Sequence, residues 1–357
     1  MQLGFIGLKY SGKSTLFSLL TGDHYESLRL GGNEYFRGQV TVPDGRIKAL
    51  SEIFKPKKTT YANFECIDVA GLPAGKKKDA STKYLEAVRQ VDGLVAVIQA
   101  FEGFDDQGNA VKIDPVGHLE QLEQELIFTD LLLLESRYEK VLLMKQKGSI
   151  QFNKAEFETL ERFKAQLEAE RALRELNITD EELKPVRGFQ FLSLKPFMAV
   201  INCDETYYAK KDQLITDVKS AFPKMAVSAV SAQIEKEIQE LDEDERKEFM
   251  ADLGIAEPAI NQVIQTAYEG MGLISFFTVG EDEVRAWTVE KNSPAPIAAG
   301  KIHSDLQAGF IRAEVTKYED FIRFPTMAEM KARGLMKVEG KEYLVQDGDI
   351  LNIRFNL

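Results

Sequence analysis

Leu3-Gly4-Phe5-Ile6-Gly7-Leu8-Lys9-Tyr10-Ser11-Gly12-Lys13-Ser14-Thr15-Leu16-Phe17 is the stretch on which the rest of the chain depends. An apolar run suited to a buried strand leads into Gly7. Four residues later Gly12-Lys13-Ser14 opens a helix-compatible segment. Strand, Gly-rich loop and helix in that order predict a phosphate-binding P-loop, and an ordinary Gly turn before a core helix explains the pattern less well. Gly7 and Gly12 free the backbone to turn its N–H groups toward phosphate oxygens, and the helix N-terminus adds positive potential. Lys13 reaches for the β- and γ-phosphates and is the candidate catalytic residue. Ser14 offers a hydroxyl to Mg²⁺, the expected cofactor, and Thr15 follows it in the phosphate-binding set.

The length of 357 residues allows two or three domains with a large core. No apolar run reaches the roughly 20 residues of a membrane span, and the N-terminus reads as a core strand instead of a charged leader, so the expected location is the cytoplasm with no membrane partner. Cys66 and Cys203 sit in apolar runs, and with three histidines they suggest core packing, not a disulfide framework or metal cage. A net charge of −12 excludes a protein that coats nucleic acid non-specifically, and no sequence-specific DNA partner is expected. Residues 276–357 carry 11 basic and 13 acidic side chains, so any nucleic-acid contact should be local.

Downstream of the P-loop helix, residues 21–38 are polar and contain Gly, and no switch Thr is obvious. Thr41 is the nearest candidate, although its alternation with Val40 and Val42 reads as strand. A strand over 61–68 then ends in Asp68-Val69-Ala70-Gly71. In a P-loop enzyme an Asp there holds Mg²⁺, and the Gly three residues on gives its N–H to the γ-phosphate. Related enzymes place a water-orienting Gln next. This chain has Leu72, which cannot hydrogen-bond water, so hydrolysis uses another group or is slow. Lys76-Lys77-Lys78 suit either a solvated turn or a phosphate or partner contact. A helix over 82–89 and a buried strand over 93–98 continue the α/β alternation.

From about His118 the pattern becomes long and amphipathic. Leu119, Leu122, Leu126 and Leu133 recur at helical spacing, and after a break at Gly148 so do Phe157, Leu160, Phe163 and Leu167, which predicts a helical hairpin. The strand Phe197–Ile201 leads into Asn202-Cys203-Asp204-Glu205. A guanine site carries N-K-x-D here, its Asp accepting from the guanine N1–H and 2-amino group. Glu205 in the fourth position displaces that carboxylate and removes the main reason to prefer guanine over adenine. Val227–Ala232 is a strand and loop suited to lying over the base, with Ser228 and Ala229 as contacts. The acidic stretch from Ile234 to Leu253 reads as one solvated helix.

Together these residues resemble the YchF-type Obg-like ATPases over nearly the whole chain. The likeness rests on Gly7 to Thr15, Val42-Pro43-Asp44 with Arg46, Lys55-Pro56-Lys57-Lys58, Asp68-Val69-Ala70-Gly71-Leu72 and Asn202 with Glu205. It extends through Val284-Arg285-Ala286-Trp287-Thr288, Ala298-Ala299-Gly300-Lys301-Ile302-His303, Gly309 to Val315, and Val345-Gln346-Asp347-Gly348-Asp349. The resemblance implies an α/β fold: a P-loop NTPase G domain (1–117 and 190–275), an inserted helical, coiled-coil arm (118–189) and a C-terminal β-grasp-like TGS domain (276–357). It implies ATP in preference to GTP, phosphate contacts from Gly12, Lys13, Ser14 and Thr15, Mg²⁺ on Ser14 and Asp68, and base contacts from Asn202 and Glu205. It also implies association with ribosomes, and the contact with the ribosome, its RNA or a bound factor is expected through the TGS domain and the arm.

The chain departs from the family pattern where Lys9, Tyr10 and Ser11 replace P-N-V. It also lacks the Thr-bearing first switch, and Lys76-Lys77-Lys78-Asp79-Ala80-Ser81 replaces a Gly-rich loop. Tyr10 removes an Asn able to help hold a monovalent cation. The expectation is an ATP-binding switch protein with slow ATP hydrolysis, working on the ribosome or translation machinery. The alternatives are a non-hydrolysing nucleotide-gated scaffold and a translation-associated GTPase. RNA contact in the last domain is expected through Arg285, Lys301, His303 and Arg312.

Overall fold

The apolar run Gln2–Ile6 forms strand β1 because it can be covered on both faces, and every residue from Leu3 to Ile6 is buried. The structure, a computed structural model, describes residues 1–22, 25–30, 33–68, 88–104 and 108–356. Gly71, Leu72, Lys76-Lys77-Lys78 and most of the helix expected over 82–89 lie outside the described residues. The chain divides into two units, Met1–Gly38 with Glu65–Val263, and Gln39–Phe64 with Ile264–Leu357.

The first unit contains a seven-stranded sheet in the order β2-β3-β5-β1-β6-β7-β8. Its strands are β1, β2 (Tyr25–Leu30), β3 (Asn33–Thr41), β5 (Asn63–Asp68), β6 (Gly93–Ala100), β7 (Phe197–Cys203) and β8 (Ala226–Val230). Strands β5, β1, β6, β7 and β8 run parallel, and β6 and β7 are buried along their whole length, as expected of strands covered on both faces. Within the polar stretch, β2 and β3 pair antiparallel from Tyr25 opposite Gly38 to Leu30 opposite Asn33, two strands that the sequence reading did not assign. Ladder hydrogen bonds, more than side-chain alternation, specify this hairpin, so its pattern is faint in sequence.

The amphipathic segment forms helix Pro115–Gln146, capped by the Asp114 carboxylate on Gly117 N–H, and helix Lys154–Glu168, capped by Asn153. Leu134, Val141, Phe157, Leu160, Phe163 and Leu167 make their shared core. Asp130, fully buried, ties the long helix to the returning chain: it accepts from Leu192 N at 2.9 Å, Ser193 N at 2.7 Å and Ser193 Oγ at 2.7 Å. Asp130→Ala orphans all three donors and is expected to lower the unfolding free energy by about 3 kcal/mol. A urea midpoint that moves by less than about 1 kcal/mol equivalent would contradict this account.

The acidic stretch after Ile234 is two helices, Ala232–Glu240 and Glu243–Asp252, not one. Asp242 breaks the run because its carboxylate accepts from Asp244 N and Glu245 N, starting a new helix. Nor is the face wholly solvated. Glu235 is buried and receives Ala259 N–H at 2.7 Å.

The second unit holds a six-stranded sheet, β12-β11-β13-β9-β10-β4. Its strands are β4 (Lys58–Thr60), β9 (Leu273–Thr278), β10 (Glu283–Glu290), β11 (Phe310–Lys317), β12 (Lys337–Glu339) and β13 (Asp349–Phe355). The antiparallel pair β9–β10, the helix Ala295–Ile302 beside it and the parallel pairing of β13 with β9 give the β-grasp pattern. Segment Gln39–Phe64 belongs to this unit: β4 pairs with β10, and Arg46 of helix Gly45–Phe54 bonds Asp44 at 2.8 Å and Asp347 at 2.6 Å. Thus Val42-Pro43-Asp44-x-Arg46 and Gln346-Asp347-Gly348, remote in sequence, form one charged cluster.

Candidate functional site

Parallel pairing sets the site. β1 leads into the P-loop, and Phe5 lies opposite Asp68 in β5, while Gln99 of β6 lies opposite Asn202 of β7. Asp68, Asn202 and the Ser231 turn therefore gather with the P-loop at the carboxyl ends of the strands, where open α/β sheets bind ligands. The loop lines a cleft of about 510 Å³ together with Lys13, Ser14, Thr15 and Asp68.

Each glycine has a specific reason. Gly12 caps the helix Lys13–Thr21 at φ 81°, in the left-handed region, and a Cβ there would collide with Asn202 Nδ2. Gly7 has no room either: a Cβ would lie 2.7 Å from Val97 O and 2.8 Å from Ser11 Oγ. Tyr10, at φ 65°, adopts the same left-handed region without being Gly.

Lys13 is buried, and its ammonium meets the Asp68 carboxylate, also buried. Burial pulls Lys13 down to about 8. The carboxylate in contact works against that pull and favours the charged form. Ser14 and Thr15 are exposed within the cleft. Asp68 and Ser14 offer hard oxygen donors, a set suited to Mg²⁺ that keeps most of its remaining positions for water and phosphate.

Asn202 is engaged on both sides of its amide. It donates to Ser11 O at 3.0 Å and accepts from Ala232 N at 3.0 Å, joining the P-loop to the turn after β8. Glu205 is exposed at the start of the short helix Glu205–Tyr208, which Asp204 caps. Ser228 and Ala229 are buried inside β8, and Ser228 Oγ has no hydrogen-bond partner among the described residues. Ser231, which caps the next helix, and Ala232, the first residue of that helix, follow the strand and face Asn202 through the Ala232 N–H. Sequence reading missed these two because strand and turn were read as one stretch. In the second unit Lys301, His303 and Arg312 are exposed, whereas Arg285 is half-buried with its guanidinium 3.9 Å over the Trp287 ring.

Comparison with known proteins bears on the whole chain. The "Ribosome-binding ATPase YchF" of Haemophilus influenzae is 39% identical over 361 residues, covering 100% of this chain and 99% of that protein. The protein of the same name in Bacillus subtilis is 38% identical over 369 residues, covering 100% of both. The chain belongs to the YchF family. The family profile YchF-GTPase_C, described as a protein of unknown function (DUF933), matches residues 273–356, the C-terminal part of the YchF chain. A solved structure described as the Schizosaccharomyces pombe YchF GTPase superimposes with a TM-score of 0.81 at 26% identity, covering 99% of this chain and 97% of that one. The YchF fold thus spans both units, and none of the helices among the described residues is long and apolar enough to cross a membrane.

Proposed function

We propose that this YchF-family chain is a cytoplasmic ATP-binding P-loop switch that hydrolyses ATP slowly and acts on the ribosome. The observation that carries the reading is the cleft in which Lys13, Ser14, Thr15 and Asp68 converge beneath a left-handed Gly12. Backbone N–H groups from Gly12 to Thr15, with the helix N-terminus, hold phosphate oxygens. Gly7 lets the loop lie close against β6, and Lys13 supplies a fixed positive charge to the phosphoryl group. Ser14 and Asp68 would hold Mg²⁺, which supplies charge neutralisation at the phosphates. Asn202 positions the loop and the segment after β8 together, and Glu205 with Ser231 and Ala232 would form the base side of the site, while Ser228 and Ala229, buried in β8, lie behind it instead of touching the base. Gly71 serves the γ-phosphate, as the sequence pattern Asp68-x-x-Gly71 suggests.

Two sequence features set the finer behaviour. Glu205 in place of the guanine-reading Asp favours ATP, and Leu72 in place of a water-orienting Gln keeps turnover low. The names of the relatives support an ATPase that binds ribosomes. We assign 1–117 with 190–275 to the nucleotide domain, 118–189 to the arm and 276–357 to the TGS module, with ribosomal contacts on the last two.

Titrating ATP and GTP into the purified protein, with turnover measured with and without ribosomes, tests this. ATP should bind at least about tenfold tighter than GTP, a difference of about 1.4 kcal/mol. Turnover should be slow alone and faster with ribosomes. GTP binding tenfold tighter than ATP, or fast turnover without ribosomes, would overturn the reading.

A further inference from the structure

The tip of the helical hairpin differs in charge from the rest of the chain. From Lys140 to Lys154 there are four lysines (140, 145, 147 and 154) and no acidic residue, in a protein of net charge −12. Two of the four have partners. Lys145 lies over the Phe157 ring at 4.0 Å, and Lys154 pairs with Glu158 at 3.4 Å. Lys140 and Lys147 are exposed, and neither meets a carboxylate among the described residues.

Helical spacing puts Lys140, Leu143 and Lys147 on one face, opposite Leu134 and Val141, which pack inward. Leu143 is 51% exposed, and Ile150, just beyond the end of the helix, is fully exposed. The helix dipole accounts for a cation in the last turn, where Lys145 sits, but not for Lys140 two turns before the end or for a bare Ile150.

The turn beneath this ridge is packed and hydrogen-bonded. Tyr138 stacks on Phe157 at 5.4 Å between centroids, and Phe152 packs against the same ring at 6.0 Å. The turn is closed by Gly148 N to Lys145 O at 3.2 Å and Ser149 N to Met144 O at 3.0 Å, and Gly148 takes the positive φ of 61° it requires. A cationic edge with two exposed apolar side chains, Leu143 and Ile150, is therefore presented to solvent at the end of the hairpin.

We propose that this tip, the ridge Lys140-Leu143-Lys147 with Ile150, contacts RNA through its phosphate backbone. The proposal rests on the ribosome-associated reading above and names the part of the arm that serves it. Lysines carry mobile point charges without the forked geometry that reads base edges, so the contact follows backbone charge and not sequence. Lysine is depleted from protein–protein interface cores, and Arg and aromatic anchors are missing from this ridge, which disfavours a protein partner.

The test uses the chain carrying Lys140→Gln and Lys147→Gln, both exposed and without a carboxylate partner among the described residues, with a thermal melt to show an unchanged fold. Binding is measured to ribosomes by sedimentation and to protein-free ribosomal RNA, each across a KCl series. The variant should bind both at least about tenfold more weakly near physiological salt. The slope of log affinity against log salt should fall by about 1.4 to 1.8, for two phosphate contacts. Basal ATP turnover should stay as in the parent.

Unchanged affinity and slope would overturn the proposal, as would weakened ribosome binding with no change on protein-free RNA, which would make the partner a protein. Loss of binding to phosphatidylserine vesicles without any loss on RNA would also overturn it. A parent protein that ignores ribosomes yet binds protein-free RNA through these lysines would refute the ribosome reading and leave the tip assignment standing.

Discussion

Lys13→Ala is expected to reduce ATP turnover by about 10²- to 10³-fold, the cost of removing one preorganised charge from a phosphoryl-transfer site. It should also weaken ATP binding. The substitution acts on the free protein as well, because Lys13 and Asp68 are both buried and neutralise each other. Leaving Asp68 alone should cost about 3–5 kcal/mol of stability, as for other buried pairs broken from one side. Lys13→Met with Asp68→Asn removes both charges and should regain most of that stability without regaining turnover. The contrast separates the two roles of the lysine. A Lys13→Ala protein that keeps turnover within about tenfold of the parent would remove Lys13 from the chemistry.

The same residue gives the site a pH dependence. The ammonium is the form that binds phosphate, and burial brings Lys13 to about 8. Contact with Asp68 favours the charged form, so at neutral pH the group is charged and ATP affinity should be flat. Once alkaline pH removes that proton it must be regained on binding, so affinity should decline with rising pH, by up to about tenfold per unit. Titrations from neutral to alkaline pH check the sign, and affinity that rises with pH would contradict the assignment.

Gly12→Ala is expected to be nearly as damaging as loss of the lysine, although it removes no functional group. An L-residue at φ 81° costs about 1–2 kcal/mol in the left-handed region. The added methyl also meets Asn202 Nδ2, so the Asn202–Ser11 bond must break or the loop must shift. A shift of even an ångström in groups that position a reacting phosphate can cost about 10²-fold in rate. We therefore expect ATP turnover to fall by about 10²-fold or more, with the rest of the fold still cooperative by urea denaturation. Asn202→Ala, which opens space for the methyl, should recover part of the loss when combined with Gly12→Ala. If the single Gly12→Ala change leaves turnover intact, the loop geometry described above is not the working one.

Much of the site was legible because it is local. A P-loop is one strand, one turn and one helix start, and its residue types follow from the backbone conformations and charges that phosphate needs. The same holds for the helical hairpin, whose 3.6-residue pattern marks both helices before any tertiary contact forms, while its caps, Asp114 and Asn153, emerged from the structure. The β2–β3 hairpin was hidden because ladder bonds can hold a strand whose side chains alternate poorly. The break at Asp242 was hidden because a capping carboxylate and a solvated one look alike in a run of acids.

By itself, then, the sequence determined where phosphate chemistry can occur, that Glu205 stands where a guanine reader would carry Asp, and that Leu72 stands where a water-orienting Gln would be. These are properties of short segments, and short-range sterics and charge decide them. Tertiary structure alone decided that Asn202 braces the P-loop against Ala232 and that Ser228 lies within a buried strand. It also decided that residues 39–64 join the C-terminal unit through Arg46 and Asp347. Those pairings join groups 30 to about 300 residues apart. Which distant donor meets which acceptor depends on the order of strands in the sheet, and no local pattern encodes that order.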